Sequence, residues 1–240
     1  MISSKQELLQ KIEVCSEQIN DKFSGKGGKR SIVICGGTGC LSSDSLAILN
    51  KFEKLIAEKG LDAKVSVNQV GCFGFCSQGP FVKIFPEDTL YRTVSVADVA
   101  EIVEKDLINN EIVERLLYVD PISGQKVQKQ DEINFYKKQL RLALHGCGTI
   151  NPENIDEALG DGAFQGITKA LKMTQQEVVD EVLASGLRGR GGGGFPTGRK
   201  WQFALNQQSE EKYVVCNGDE GDPGAFMDRS ILEGNPLAVI

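Results

Sequence analysis

The chain has 240 residues, a net charge of −6 at pH 7, seven cysteines and a single histidine. The acidic balance argues against a nucleic-acid binder, and the apolar runs are too short to span a membrane. One histidine also excludes a Rieske cluster, which needs two histidine ligands. The polar N-terminus has no signal-peptide core, so we expect a cytoplasmic protein whose cysteines serve as metal ligands or thiols rather than in disulfides.

The first half of the chain has the pattern of a small α/β domain. Ser4 and Glu7 form a capping box at the start of a helix. Periodicity then predicts elements in the order α-β-α-β-β-β-α, which we assign to a domain at residues 1–108. After the first helix, these elements are a strand at 31–35, a helix at 43–59, a strand at 63–70, a hairpin of 81–85 and 90–94, and a helix at 96–107.

The second half begins after a polar linker, which we place at residues 109–130, and forms a domain at 131–240. Its last residues begin a new apolar element that includes Ile240, so we expect the chain to be truncated at its C-terminus. Its predicted elements are helices at 131–144, 163–171 and 174–185, a glycine-rich loop, a helix from Arg199 and a strand at 213–216.

Four cysteines stand in two glycine-rich loops, as Cys35-x4-Cys40 and Cys72-x3-Cys76. A [2Fe–2S] cluster needs four thiolates from compact loops of this kind. The alternatives are structural zinc, for which C-x2-C spacing is more usual, disulfides, or unrelated core cysteines. The spacing favours the iron–sulfur cluster.

This spacing on this element order resembles the thioredoxin-like [2Fe–2S] ferredoxin family over about residues 5–108. The resemblance implies a thioredoxin-like fold. It also implies that the cluster ligands are Cys35, Cys40, Cys72 and Cys76. We interpret the other cysteines as structural; they are Cys15, Cys147 and Cys216.

A second pair of motifs lies further along the chain. Residues 186–201 hold seven glycines and several cationic side chains, and residues 216–229 form an acidic turn. Dense glycine lets the backbone lie against a flat or phosphorylated ligand, and a following helix N-terminus favours phosphate. A flexible linker is the alternative, but Phe195 and Trp201 argue against it.

The pair of motifs resembles the family of NADH-binding flavoproteins (FMN-containing subunits) of complex I and multimeric hydrogenases, from about Phe135 to the end. The resemblance implies the first part of a Rossmann-like FMN/NADH-binding α/β domain. With a ferredoxin domain in front, the chain most resembles the β (diaphorase) subunit of a bacterial NAD(P)-linked or electron-bifurcating [FeFe] hydrogenase.

The same resemblance implies the flavin and nucleotide site. Glycines and Arg190 of the loop wrap the flavin and its phosphate, Lys200 anchors the phosphate, and two phenylalanines flank the nicotinamide or adenine ring. Residues of the acidic turn hydrogen-bond the flavin and contact the nucleotide. The full set is Gly189, Arg190, Gly191, Gly192, Gly194, Phe195, Lys200, Phe203, Asn217, Asp219, Glu220 and Asp222.

The expected function is an oxidoreductase subunit that exchanges hydride between NAD(H) or NADP(H) and FMN and passes single electrons to iron–sulfur clusters. A [4Fe–4S] cluster is expected only beyond residue 240. Partners are the iron–sulfur subunits of a hydrogenase complex, with ferredoxin as a further candidate. The alternatives are a diaphorase subunit of formate dehydrogenase or complex I, a ferredoxin-like carrier without flavin, and a zinc-stabilised interaction protein.

Overall fold

The computed structural model describes residues 4–239, which form two compact units. The first contains the described residues up to Ala163 together with those from Glu220 on, and the second is Phe164–Asp219. Within the described chain, no helix is long and apolar enough to cross a membrane. The first unit thus continues past the predicted boundary at residue 108, and the three predicted domain ranges stay predictions.

The elements of the first unit follow the predicted order as far as residue 108. Its helices are α1 (Lys5–Ser24), α2 (Thr38–Leu41), α3 (Ser45–Glu58), α4 (Val99–Ile102, continued as a π-helix over Val103–Ile108), α5 (Asn134–Lys137), α6 (Ile155–Gly160) and α10 (Met227–Gly234). Its strands are β1 (Arg30–Cys35), β2 (Val65–Val70), β3 (Val82–Phe85), β4 (Thr89–Tyr91), β5 (Tyr118–Val119) and β6 (Lys126–Val127).

The first four strands form one mixed sheet in the order β2-β1-β3-β4. β1 and β2 are parallel, and β3 pairs antiparallel with both β1 and β4. A parallel pair needs a crossover connection, and α3 supplies it between β1 and β2. The predicted α/β fold of the N-terminal part of the chain is confirmed.

The two faces of the sheet carry different cores. Along β1, Ile32 and Ile34 are fully buried in a core with side chains of α3 and α4. Val33 and Cys35 point to the opposite face, because side chains alternate along a strand. There they join an aromatic core that also contains Tyr136 of α5.

The segment predicted as a linker packs along β4, the outermost strand at one edge of the sheet. The Leu90 amide of β4 donates to the Gln128 carbonyl at 2.9 Å, and the Arg92 amide donates to the Leu116 carbonyl at 2.9 Å. The hairpin of β5 and β6 lies within this segment. Covering β4 in this way removes an edge that could pair with another chain.

The second unit consists of α7 (Gln165–Ala170), α8 (Gln175–Ala184) and α9 (Thr197–Leu205), with the glycine-rich loop between the last two. Thr174 and Glu177 form the predicted capping box of α8. The described residues of this unit contain no strand, so its Rossmann-like character stays a prediction.

Two predicted elements are wrong. The helix predicted at 131–144 ends at Lys137, and Leu140 and Leu142 beyond it are largely exposed, so a longer helix would bury no apolar face. Residues 213–216 are not a strand, and Val214 is fully exposed because no strand among the described residues pairs with it.

Besides the short α2, two helices of the first unit were not predicted from the sequence. α6 packs against α1, where the Lys22 ammonium pairs with the Glu157 carboxylate at 2.8 Å. α10 is followed by Asn235, whose amide donates to the His145 carbonyl and to the Asp161 carboxylate, each at 3.1 Å. These contacts hold the residues after Glu220 within the first unit.

Candidate functional site

The four predicted cluster ligands lie together where two parallel strands end. Cys35 is the last residue of β1 and pairs with Val70, the last residue of β2, so Cys72 follows at the same sheet edge. The short helix α2 carries Cys40, and a turn of 3-10 helix begins at Cys76. The strand topology therefore brings the two cysteine loops into one place.

Glycines make room for the thiols. A Cβ on Gly79 would lie 2.5 Å from the Cys40 sulfur, and one on Gly37 would lie 2.9 Å from the Cys72 sulfur. Side-chain carbons do not approach sulfur this closely, so both positions require the absence of a side chain. At these two positions the loops form a glycine cradle around the sulfurs of Cys40 and Cys72.

Two of the sulfurs are spaced as a ligand pair. The Cys72 and Cys76 sulfurs are 3.9 Å apart, and two thiolates on one tetrahedral metal with bonds of about 2.3 Å would be roughly 3.8 Å apart. Among the described residues, no three His, Cys, Asp or Glu side chains form the compact group that a single ion would need. A [2Fe–2S] cluster requires two such sulfur pairs, one on each iron.

The thiols affect one another's protonation. A hydrogen bond with Cys40 raises the pKa of Cys35 to about 12, and the same bond lowers the pKa of Cys40. The pKa of Cys72 is raised by its hydrogen bond with Cys35 and then by burial, and burial raises the pKa of Cys76. Because iron binds thiolates, assembly of a cluster here would release protons.

The surroundings of the thiols are largely apolar. Cys35, Cys40 and Cys72 are buried, and only Cys76 is exposed. The rings of Phe73 and Phe81 are fully buried beside them, with centroids 5.5 Å apart. A cluster here would be shielded from water except at the Cys76 edge, where electrons could enter or leave.

Two polar residues at this site were not predicted as part of it. The buried Tyr136 belongs to the same core as Cys35 and Cys40. The Arg141 guanidinium donates to the Cys72 carbonyl at 3.1 Å. Both are distant in sequence from the cysteines, and no spacing rule connects them, so only the fold brings them to the site.

The glycine-rich loop of the second unit closes on itself. The Gly189 amide donates to the Phe195 carbonyl at 2.8 Å, and the Thr197 amide donates to the Leu187 carbonyl at 2.9 Å. The Arg188 guanidinium donates to the Gly194 carbonyl at 2.6 Å. These bonds give the loop a defined shape, unlike that of a flexible linker.

The two predicted stacking phenylalanines are neighbours. The rings of Phe195 and Phe203 are 6.3 Å apart between centroids, and both side chains are about half exposed. Lys200 lies between them in the sequence, on α9, and is exposed. A planar ligand could therefore meet an aromatic surface here.

The acidic turn is divided between the two units. Asn217 and Asp219 are exposed in the second, and the Asn217 side-chain oxygen accepts the Asp219 amide at 3.1 Å. In the first, the Glu220 carboxylate accepts the Asp228 amide at 2.7 Å and so caps α10. Asp222 is exposed beside it. The flavin contacts assigned to these residues stay predictions, as do those of the loop.

Two segments of the chain, one in each half, match described protein families. Residues 20–106 match the family described as thioredoxin-like [2Fe-2S] ferredoxin, and residues 182–240 match the Nuo51 FMN-binding domain. The resemblances drawn from the cysteine spacing and from the glycine loop with its acidic turn are confirmed.

Individual relatives agree with these matches. The chain is 57% identical over 104 residues to the HndC subunit of the NADP-reducing hydrogenase of Solidesulfovibrio fructosivorans, covering 43% of this chain and 21% of that protein. It is 52% identical over 101 residues to a subunit of the NADH-quinone oxidoreductase of Aquifex aeolicus, covering 42% and 24%. It is 44% identical over 77 residues to a 2Fe-2S ferredoxin of Clostridium pasteurianum, covering 32% and 76%. The chain thus spans less than a quarter of the length of the two larger relatives.

Proposed function

The chain belongs to the thioredoxin-like [2Fe–2S] ferredoxin family, and from this premise we propose that it is part of an electron-transfer flavoprotein subunit. In this proposal it exchanges hydride between a nicotinamide nucleotide and FMN and passes single electrons to iron–sulfur centres. The observation that carries it is the presence, in one chain, of matches to the [2Fe–2S] family and to an FMN-binding domain.

Cys35, Cys40, Cys72 and Cys76 would hold the [2Fe–2S] cluster. The geometry of the site supports this, since three of the thiols are buried and the sulfurs of the last two are 3.9 Å apart. The apolar surroundings would exclude water from the cluster. The exposed Cys76 would then mark the side that faces an electron partner.

The glycine loop and α9 would hold FMN, with NAD(H) or NADP(H) on the flavin. Bound FMN would supply the redox chemistry, because a flavin can accept two electrons as a hydride and release them one at a time. No protein base is required for this. The amide groups around Gly191 would approach the flavin closely, and Arg190 and Lys200 would neutralise its phosphate. Phe195 and Phe203 would offer their rings to a planar group, and the acidic turn would accept hydrogen bonds from polar flavin groups.

We place the working complex in the class of NAD(P)-linked hydrogenases, where the chain would deliver electrons to iron–sulfur subunits. The relative with 57% identity, which belongs to an NADP-reducing hydrogenase, supports this. The alternative is a complex I-like assembly or a formate dehydrogenase. Of these two, the relative from an NADH-quinone oxidoreductase favours the complex I-like assembly. None of the seven cysteines, all among the described residues, is in a disulfide, and the proposal includes a cytoplasmic location, where thiols stay reduced.

Anaerobic purification followed by metal analysis and spectroscopy tests the proposal. We expect iron and sulfide in equal amounts, an electron paramagnetic resonance (EPR) signal of a reduced [2Fe–2S] cluster after dithionite, and binding of added FMN that quenches flavin fluorescence. A protein with the cluster but no affinity for FMN would instead be a ferredoxin-like carrier. A colourless protein that contains zinc would overturn both cofactor assignments.

A further inference from the structure

Tyr136 has a buried hydroxyl group without a partner. The residue lies in α5 and is 6% exposed, with its ring packed edge-on against Phe75 at 6.1 Å. Its hydroxyl is buried and has no hydrogen-bond partner among the described residues. Leaving such a group unsatisfied in the interior destabilises the fold. The buried hydroxyl therefore indicates a partner that the described residues do not provide.

Tyr136 packs in the same core as two of the predicted ligands, Cys35 and Cys40. Burial raises the pKa of Tyr136, and the positive charge of Arg141 offsets part of this rise. The phenol is therefore neutral at physiological pH and can donate one hydrogen bond towards the sulfur group.

We propose that the Tyr136 hydroxyl donates a hydrogen bond to a sulfur of the [2Fe–2S] cluster and thereby raises the reduction potential of the cluster. The inference rests on the proposed function, because it needs a cluster on the four cysteines. Reduction adds one negative charge to the cluster. A donor that faces a sulfur stabilises the more negative state more strongly.

The donor comes from outside the ferredoxin part of the chain. The match to the [2Fe–2S] family ends at residue 106, whereas Tyr136 lies on a segment that follows the β5–β6 hairpin. Arg141 on the same segment adds a positive charge through its hydrogen bond to the Cys72 carbonyl. The cluster potential is thus set in part by residues that the ferredoxin match does not include.

The test is a redox titration of wild-type protein and the Tyr136→Phe variant, followed by EPR under anaerobic conditions. Tyr118→Phe is the matched control, since its ring packs on the same Phe75 at 5.9 Å but is only half-buried. At a fixed potential we expect the ratio of reduced to oxidised cluster to fall about tenfold in Tyr136→Phe, a shift of about 59 mV for one electron. Tyr118→Phe should titrate as wild type does.

Replacing Tyr136 by a fluorotyrosine provides a second variant that keeps the hydroxyl and nearly the same volume. Its more acidic phenol is a better donor, so the potential should move upwards, opposite to the shift in Tyr136→Phe. An unchanged potential in this variant, or in a Tyr136→Phe protein with full iron content, would overturn the inference. A wild-type protein without iron or sulfide would contradict the proposed function instead.

Discussion

The cluster region and the flavin loop are built in different ways. The cluster thiols form part of a packed core, beside a sheet stabilised by the buried Asp106, which accepts hydrogen bonds from Tyr91 and Arg30. The flavin loop is held by its own backbone hydrogen bonds, and Phe195 and Phe203 remain about half exposed.

This difference shows which contacts determine the geometry of each site. The predicted cluster ligands lie in loops that follow β1 and β2, so the strand pairing that forms the sheet also places these loops. The predicted flavin residues have a defined loop but little cover, so a ligand would itself have to bury their aromatic surface. Substitutions in the cluster region should therefore act through protein stability and cofactor content together, and those in the loop through affinity alone.

Loss of a ligand thiol should have the largest effect. Cys72→Ser removes one of the two sulfurs that are 3.9 Å apart, so we expect the [2Fe–2S] EPR signal to disappear and the iron content to fall. Cys216→Ser, at an exposed thiol, is the control and should keep both. A persistent signal in Cys72→Ser would remove this residue from the ligand set.

Filling the glycine cradle should have the next largest effect. In Gly79→Ala the new carbon would lie 2.5 Å from the Cys40 sulfur, so the thiol or the loop must move. We expect a loss of about 1–3 kcal/mol in the free energy of unfolding, measured by denaturant titration, and lower iron content. In Gly39→Ala the nearest atom is at 3.5 Å, an ordinary contact, and this variant should behave as wild type does. Equal losses in the two would refute the fitted cradle.

In the second unit, helix packing rather than cofactor content should respond to an added methyl group. A Cβ on Gly198 would lie 2.7 Å from the Leu183 backbone nitrogen, so Gly198→Ala should separate α8 from α9 and cost about 1–3 kcal/mol. Gly166→Ala, in open space on α7, should stabilise by about 0.5–1 kcal/mol instead. Thermal unfolding followed by circular dichroism checks both. A cluster signal lost in Gly198→Ala would contradict the separation of the two effects.

The smallest effect is expected at the predicted phosphate anchor. Lys200 is exposed on α9, and Lys200→Gln should weaken FMN binding about tenfold, equal to about 1.4 kcal/mol, while leaving stability unchanged. Flavin fluorescence titration measures this, with the exposed Lys172→Gln as control. The same FMN affinity in both variants would mean that Lys200 does not contact the phosphate.

Local patterns were a good guide wherever neighbours in sequence decide the structure. The strand at 31–35, the capping box at Thr174 and the cysteine loops all depend on short spacing. The prediction of a strand at 213–216 is wrong, because a strand needs a pairing partner that the local sequence does not reveal. The helix predicted at 131–144 is longer than the observed one, because periodicity does not show which apolar residues become buried in a core.

The amino-acid sequence by itself determined the four candidate ligands, the order of the ferredoxin elements and the family resemblance of both halves, because these depend on residue type and spacing. Only the tertiary structure decided that Gly79 lies against Cys40, that Cys72 and Cys76 form a sulfur pair, and that Tyr136 reaches the same site. The first and the last of these contacts join residues far apart in the chain. Their geometry is set by sheet pairing and core packing, which act only once the whole domain has folded.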